Sequence, residues 1–330
     1  MGAVWRRDVI SGEMVLFAPD RLRRPNAKSE QIDWRISEDD PFAEGQEHQT
    51  PHEVFAIRHG DTAPDTPGWA VRVVPNKFPV FSGTDINAGV EHQSGDELPA
   101  TGVHEVIIEC PQRESHLTRL PTEQVRNVLL AYGSRMSQLS REGTIRHVFI
   151  FKNHGRFAGA SLLHAHSQLM GQAEAPPIVR VGLNFANKSS PEPFTRLIQF
   201  EVEDRSRIVQ RSSRYVVLCP FASRFPYEMW ILPQWQSSHF ERVTDAELSE
   251  LAETLRDTLR RLEIITGDAA WNFVLHSAPF HEEHPEYRWQ IRIFPRITGL
   301  AGLELGGGTF VNLVLPEVAA EELRNAESTR

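Results

Sequence analysis

Cysteine is scarce in this chain: there are two among 330 residues. Cys110 and Cys219 each stand beside a proline in apolar surroundings. That pattern excludes a disulfide scaffold and reads as a pair of reduced core thiols, which points to the cytoplasm. Long hydrophobic runs are missing too. No stretch approaches the ~18 apolar residues of a membrane span. The start, Met-Gly-Ala-Val-Trp-Arg-Arg-Asp, lacks the apolar region of a signal peptide. Positive charge is in deficit, with 35 Lys and Arg against 44 Asp and Glu for a net charge of −9. A broad nucleic-acid or membrane surface is therefore excluded, although a local basic pocket for a phosphorylated small molecule is not. The length suits one large or two medium domains, and 40% hydrophobic residues suffice for a sizeable core.

The most informative run is Ser161-Leu-Leu-His164-Ala-His166-Ser-Gln168. In a strand, spacing of i, i+2 and i+4 puts His164, His166 and Gln168 on one face. Just upstream, Phe149 to Gly155 reads as a buried strand opening into a loop that contains Gly155 and Gly159. Imidazole is nucleophilic near neutral pH, and loop amides take up charge developing on phosphoryl oxygens. The same residue types also suit two structural histidines at a strand end, or two metal ligands.

Periodicity organises the rest. Residues 4–17 suggest a hairpin turning at Ser11-Gly12, and residues 26–50 an irregular arm. Strands are expected at Trp69–Val74, Val103–Glu109, Arg146–Lys152 and Ala165–Met170, with a polar loop over 82–101. Thr122–Arg141 is amphipathic, with Thr122 as the expected N-cap. The second half repeats this plan. Ser115-His116 matches Ser238-His239 and Glu105 matches Glu228, both 123 positions apart. Thr244–Ile265 corresponds to the first-half helix. His164-Ala-His166-Ser-Gln168 falls opposite Arg288-Trp-Gln290-Ile-Arg292, 124 positions on. These registers predict an α+β chain of two duplicated halves, each an antiparallel sheet with one main helix. The expected division is 1–172 and 201–330, joined by 173–200, with the histidines lost from the second copy.

Two halves with His-X-His-X-Gln in the first resemble the galactose-1-phosphate uridylyltransferase family, a branch of the histidine-triad superfamily that includes sugar-1-phosphate adenylyltransferases. Supporting segments are Ser11–Val15, Ala18–Pro25, Val73–Phe78, Pro220–Glu228 and Gly302–Asn312. The resemblance implies that His166 attacks the α-phosphorus of a nucleoside diphosphate hexose, UMP being the first choice of transferred group. Hexose-1-phosphate leaves, and a second sugar phosphate takes the nucleotidyl group. The His164 backbone would orient the His166 ring, and Gln168 would bind the phosphoryl oxygens. Arg21, Arg24, Asn76, Lys77, Asn153, Gly159 and Ser161 would bind nucleotide and phosphates; Glu304 and Asn312 would hold the sugar. The implied partners are a nucleotide sugar and hexose-1-phosphate, with neither nucleic acid nor membrane, and a homodimer left open.

The chain departs from the family where many members hold zinc. Asp40 and Ala43 stand at the Cys-X-X-Cys positions, and Arg113 at a later histidine. Tetrahedral structural zinc needs four ligands, and of the usual set only His164 remains. No metal cofactor is expected; Arg113 would pair with Asp40 in its place. The His281-Glu-Glu-His284 cluster reads as a solvated loop rather than a metal site. An ADP-sugar phosphorylase or adenylyltransferase, a superfamily hydrolase, and a non-catalytic nucleotide-binding protein are the competing readings.

Overall fold

The computed structural model describes residues 4–7, 14–17, 40–81, 83, 97–188, 193–307 and 310–326. The hairpin strands β1 (Val4–Arg7) and β2 (Met14–Phe17) pair antiparallel, and β5 (Leu98–Pro99) adds to β1. The expected Ser11-Gly12 turn lies outside the described residues, as do Arg21 and Arg24.

Among the described residues, ten strands form a second sheet. From one edge come β3 (Phe55–Arg58), β4 (Trp69–Pro75), β6 (Val103–Ile108), β8 (His166–Gln172) and β7 (His147–His154). The row continues through β12 (Trp271–His276), β13 (Gln290–Pro295), β11 (Met229–Pro233), β10 (Tyr215–Leu218) and β9 (Ile208–Arg211). Read inward from either edge, the five strands of each half come in the same order. The repeat expected from the sequence is thus present, but the two sheets are one. β7 and β12 pair antiparallel, with Asn153 opposite Asn272 and Phe151 opposite Val274. Edge pairing satisfies the backbone groups of both innermost strands, which would otherwise be left unpaired.

Helix α1 (Thr122–Arg141) follows β6 and α4 (Asp245–Thr266) follows β11. Their apolar stripes pack on one sheet face around Leu129, Tyr132, Leu251, Leu255, Phe273 and Ile291, all fully buried. The start of α4 is a capping box, in which Thr244 and Glu247 satisfy each other's end of the first turn. In α1 the N-cap is Pro121, with no side-chain cap, and Thr122 is the first helical residue. The expected cap is displaced by one because Pro121 already has an extended backbone there. The 173–200 connection contains most of two helices, α2 (Pro177–Lys188) and α3 (Pro193–Asp204), which cover the outer strands of the second half. Two helices near the C-terminal end, α5 (Gly302–Gly307) and α6 (Pro316–Asn325), complete the described elements. No helix among the described residues is long and apolar enough to cross a membrane.

Candidate active site

Alternation along β8 puts His166 and Gln168 on the sheet face away from α1. His164 does not share that strand. It precedes β8, in the loop that descends from β7, and it contributes through its main chain. Its carbonyl oxygen accepts from His166 Nδ1 at 2.7 Å. That bond places the proton on Nδ1 and leaves Nε2 with the lone pair. His166 is 6% exposed, with the Phe42 ring edge-on 5.3 Å away. Burial pushes its imidazole down to about 4, against the pull of the His164 carbonyl, and the charge of Lys152 adds to the fall. The ring is therefore neutral, and nucleophilic, throughout the physiological range.

The opposite face of β8 is held by a buried network. Lys152 donates to Glu109 Oε2 at 2.6 Å and to the His166 carbonyl at 3.2 Å. Ser167 donates to Glu109 Oε1, and Tyr132 bonds Ser167 and Glu109. Lys152 and Glu109 are 1% and 0% exposed, so each charge depends on the other for its counter-ion.

Gln168 is oriented from β6. The Val80 amide donates to His104 Nδ1 at 3.1 Å, which assigns the proton of a neutral ring to Nε2. Nε2 in turn donates to Gln168 Oε1 at 2.9 Å. The Gln168 carbonyl is thereby engaged, leaving its NH2 as the group to meet an anion. His104 was not among the residues expected from the sequence. It lies 64 positions from Gln168, and only the pairing of β6 with β8 reveals it. Asn76, just past β4, is drawn into the same corner: its main-chain amide donates to the His104 carbonyl at 2.8 Å. Lys77 follows in the turn and is exposed.

The β7–β8 loop requires its glycines. Gly155 and Gly159 have φ of +78° and +88°, and a Cβ on Gly155 would stand 2.9 Å from that of Ala270. Asn153 ends the open face of β7, its Oδ1 accepting from Asn272 at 2.8 Å. Ser161 lies half-buried in the same loop. Glu304 and Asn312 belong to the C-terminal segment. Glu304 accepts from the Ala301 and Val311 amides, and Asn312 donates to the Ser223 carbonyl. Among the described residues, neither contacts His166 or Gln168.

Where the family implies zinc, the residues present do not fit it. His164 Nδ1 faces Asp40 Oδ2 at 2.9 Å and its Nε2 faces the Cys110 carbonyl at 2.7 Å. Both ring nitrogens are thus already engaged, by a carboxylate and by a main-chain carbonyl. Burial, then the Glu109 charge, push the Cys110 thiol up to about 12. Arg113 lies 3.9 Å from Asp40. Asp40 is held below the usual carboxylate range: burial opposes this, but the His164 hydrogen bond and charge outweigh it. His116 stands elsewhere. With His154 and Asp268 it forms the metal-capable group found among the described residues, its ligand atoms within 4.8 Å of one another. As it stands, both histidines bond the Asp268 carboxylate, at 2.9 and 3.2 Å, and clamp the two halves together. Ser115 and Ser238 each bond the next histidine's Nδ1 at 2.7 Å, a local turn shared by both halves. His281 and His284 lie in a loop, bonded to the Ser140 carbonyl and to Glu282.

The profile of the galactose-1-phosphate uridyl transferase N-terminal domain matches residues 5–176, and that of the C-terminal domain matches 150–327. An ADP-glucose phosphorylase from Arabidopsis thaliana is 30% identical over 332 residues, covering 98% of this chain and 93% of its own. A galactose-1-phosphate uridylyltransferase from Thermotoga maritima is 28% identical over 239 residues, 68% of this chain and 74% of its own. The Arabidopsis thaliana ADP-glucose phosphorylase structure with bound ADP-glucose superposes with a TM-score of 0.75 at 28% identity, covering 98% and 99% of the two chains. A uridylyltransferase structure gives 0.79 at 26% identity, covering 98% of each.

Proposed function

The chain belongs to the galactose-1-phosphate uridyl transferase family, whose members carry out nucleotidyl transfer on sugar phosphates, and we propose that it does so through a covalent intermediate on His166. The observation that carries this reading is the state of that ring: neutral, with Nδ1–H tied to the His164 carbonyl and Nε2 carrying the lone pair. Nε2 attacks the α-phosphorus of a nucleoside diphosphate hexose. The N–P bond forms as the P–O bond to hexose-1-phosphate breaks, and the leaving group keeps the electron pair. A phosphate oxygen of the acceptor then attacks the same phosphorus, and histidine leaves. A ring of low basicity serves both steps, because it is unprotonated when it attacks and departs readily. Gln168 donates to the phosphoryl oxygens without titrating. Loop amides beside Gly159 supply further stabilisation; the family resemblance adds Arg21 or Arg24, which lie outside the described residues.

For the transferred group, adenylyl is the first reading. The ADP-glucose phosphorylase relative matches both halves of this chain, which favours an ADP-hexose donor with phosphate or a sugar phosphate as acceptor. Uridylyl is the second reading, favoured by the uridylyltransferases matched over about two thirds of the chain. The base would lie toward Phe42, Val54 to Ile57 and Asn76.

One experiment tests both levels. Full-length protein is incubated with ADP-glucose or UDP-glucose labelled in the α-phosphate. An acid-labile, base-stable adduct is expected, together with exchange of labelled glucose-1-phosphate into nucleotide sugar without a second acceptor. His166→Ala should abolish adduct and exchange while its melting curve stays cooperative. An adduct that persists in that variant refutes the assignment, and the donor that labels the wild type identifies the base.

A further inference from the structure

The two copies of one local turn differ in what their histidine reaches. Ser115 and Ser238 each bond Nδ1 of the next histidine. In the second half, His239 Nε2 ends on a main-chain oxygen, that of Pro279, at 3.0 Å. In the first half, His116 Nε2 ends on a carboxylate oxygen, Asp268 Oδ2, at 2.9 Å. A second imidazole meets the same carboxylate: His154 Nε2 lies 3.2 Å from Asp268 Oδ1. The three residues come from separate elements. His116 lies between β6 and α1, His154 ends β7, and Asp268 lies between α4 and β12.

Two imidazoles and a carboxylate are a ligand set for a borderline divalent cation such as Zn²⁺. Tetrahedral bonds of ~2.1 Å put neighbouring donor atoms ~3.4 Å apart. Here the donor atoms lie within 4.8 Å of one another, so modest side-chain rotations close the shell. The fixed member is His154, which is buried with its ring stacked on Trp271 at 4.9 Å and 17°. The adjustable member is Asp268, whose side chain is 50% exposed; that opening leaves a coordination position to water.

The surroundings suit a bound ion. A metal-ligating imidazole gives its other N–H to an oxygen. Ser115 Oγ, 2.7 Å from His116 Nδ1, is placed to accept it while Nε2 turns its lone pair to the ion. Burial, then the charge of Lys152, hold His154 below its ordinary value, so at neutral pH it has the uncharged form that a metal takes. Glu114 Oε1, 3.5 Å from His116 Nδ1, adds negative charge, shared with Arg119 at 3.7 Å.

We infer that His116, His154 and Asp268 bind a divalent cation of the zinc class across the joint between the two halves. None of the three stands at the family's zinc positions, here Asp40, Ala43, Arg113 and His164. The ion replaces two hydrogen bonds by three coordinate bonds, tying Asp268 to residues 114 and 152 positions away. With three protein donors and a half-exposed carboxylate, it exchanges with solvent: the site fills when zinc is added and empties on dialysis. The site makes and breaks no substrate bond, and it does not depend on the role given to His166.

Calorimetric titration of ZnCl₂ into the full chain, dialysed against a chelator and then freed of it, tests this. The wild type should bind one equivalent. A hundredfold excess over the dissociation constant should raise its melting temperature by about 4 °C. MgCl₂ and CaCl₂, whose ions prefer oxygen donors, should do neither. His116→Gln and Asp268→Asn should each weaken zinc binding about tenfold or more. Position 268 has φ of +68°, which asparagine tolerates, so Asp268→Asn keeps the turn and decides alone if His116→Gln fails to melt cooperatively. Zinc binding unchanged in Asp268→Asn, equal binding of magnesium or calcium, or no binding overturns the assignment. So does binding that is lost instead with Asp40→Asn or with His281→Ala/His284→Ala.

Discussion

His104→Ala should slow nucleotidyl transfer while leaving the nucleophile untouched. The ring donates from Nε2 to Gln168 Oε1 and accepts from the Val80 amide, so it holds the Gln168 amide with its NH2 turned toward the site. Without the ring, the Gln168 side chain loses one hydrogen bond, worth about 1 kcal/mol or roughly fivefold. It also becomes free to flip, which halves the time that the NH2 faces the phosphoryl oxygens. Together these predict a loss of about tenfold in the rate of adduct formation. Gln168→Ala removes the donor entirely and should cost about 10²-fold, the scale of one missing oxyanion donor. The two losses should not multiply: in a Gln168→Ala background, His104→Ala should change the rate less than about twofold, since its effect passes through Gln168. The variant also strands the buried Val80 amide, lowering stability by about 1–3 kcal/mol, so rates must be read well below the melting transition. Single-turnover quenching with labelled nucleotide sugar measures each variant. His104→Gln, which retains an N–H donor, should recover part of the rate. Equal losses with and without Gln168, or an unchanged rate in the single variant, would refute this reasoning.

Two further expectations concern protonation and metal. Since burial holds His166 near 4 against its ordinary 6.5, adduct formation from a nucleotide sugar should stay flat from pH 8 to about 5; a decline centred near 6.5 would show that the ring titrates normally. The unfolded chain takes up this proton first, so the group's contribution to stability is complete above about pH 6.5 and is lost as the pH falls toward 4. Because His164 is held by Asp40 and the Cys110 carbonyl, elemental analysis should find well under one equivalent of zinc, and chelators should leave the melting temperature unchanged; stoichiometric zinc whose removal destabilises the protein would contradict this.

Local pattern determined much of this protein by itself. Strand alternation put His166 and Gln168 on one face, because successive side chains in any strand point to opposite sides. Amphipathic periodicity located the two main helices to within a residue or two, and repeated Ser-His and Glu positions exposed the duplication before any fold was known. The sequence-based family resemblance also named the zinc positions that Asp40, Ala43 and Arg113 now hold. The tertiary structure decided what lies across those elements. A window of sequence contains no information on strand order, so the merger of two sheets through β7 and β12 was not legible. Nor was the donation from His104 to Gln168, 64 positions away, or the Asp40 carboxylate that meets His164 across 124. Sheet order, rather than chain position, sets those distances.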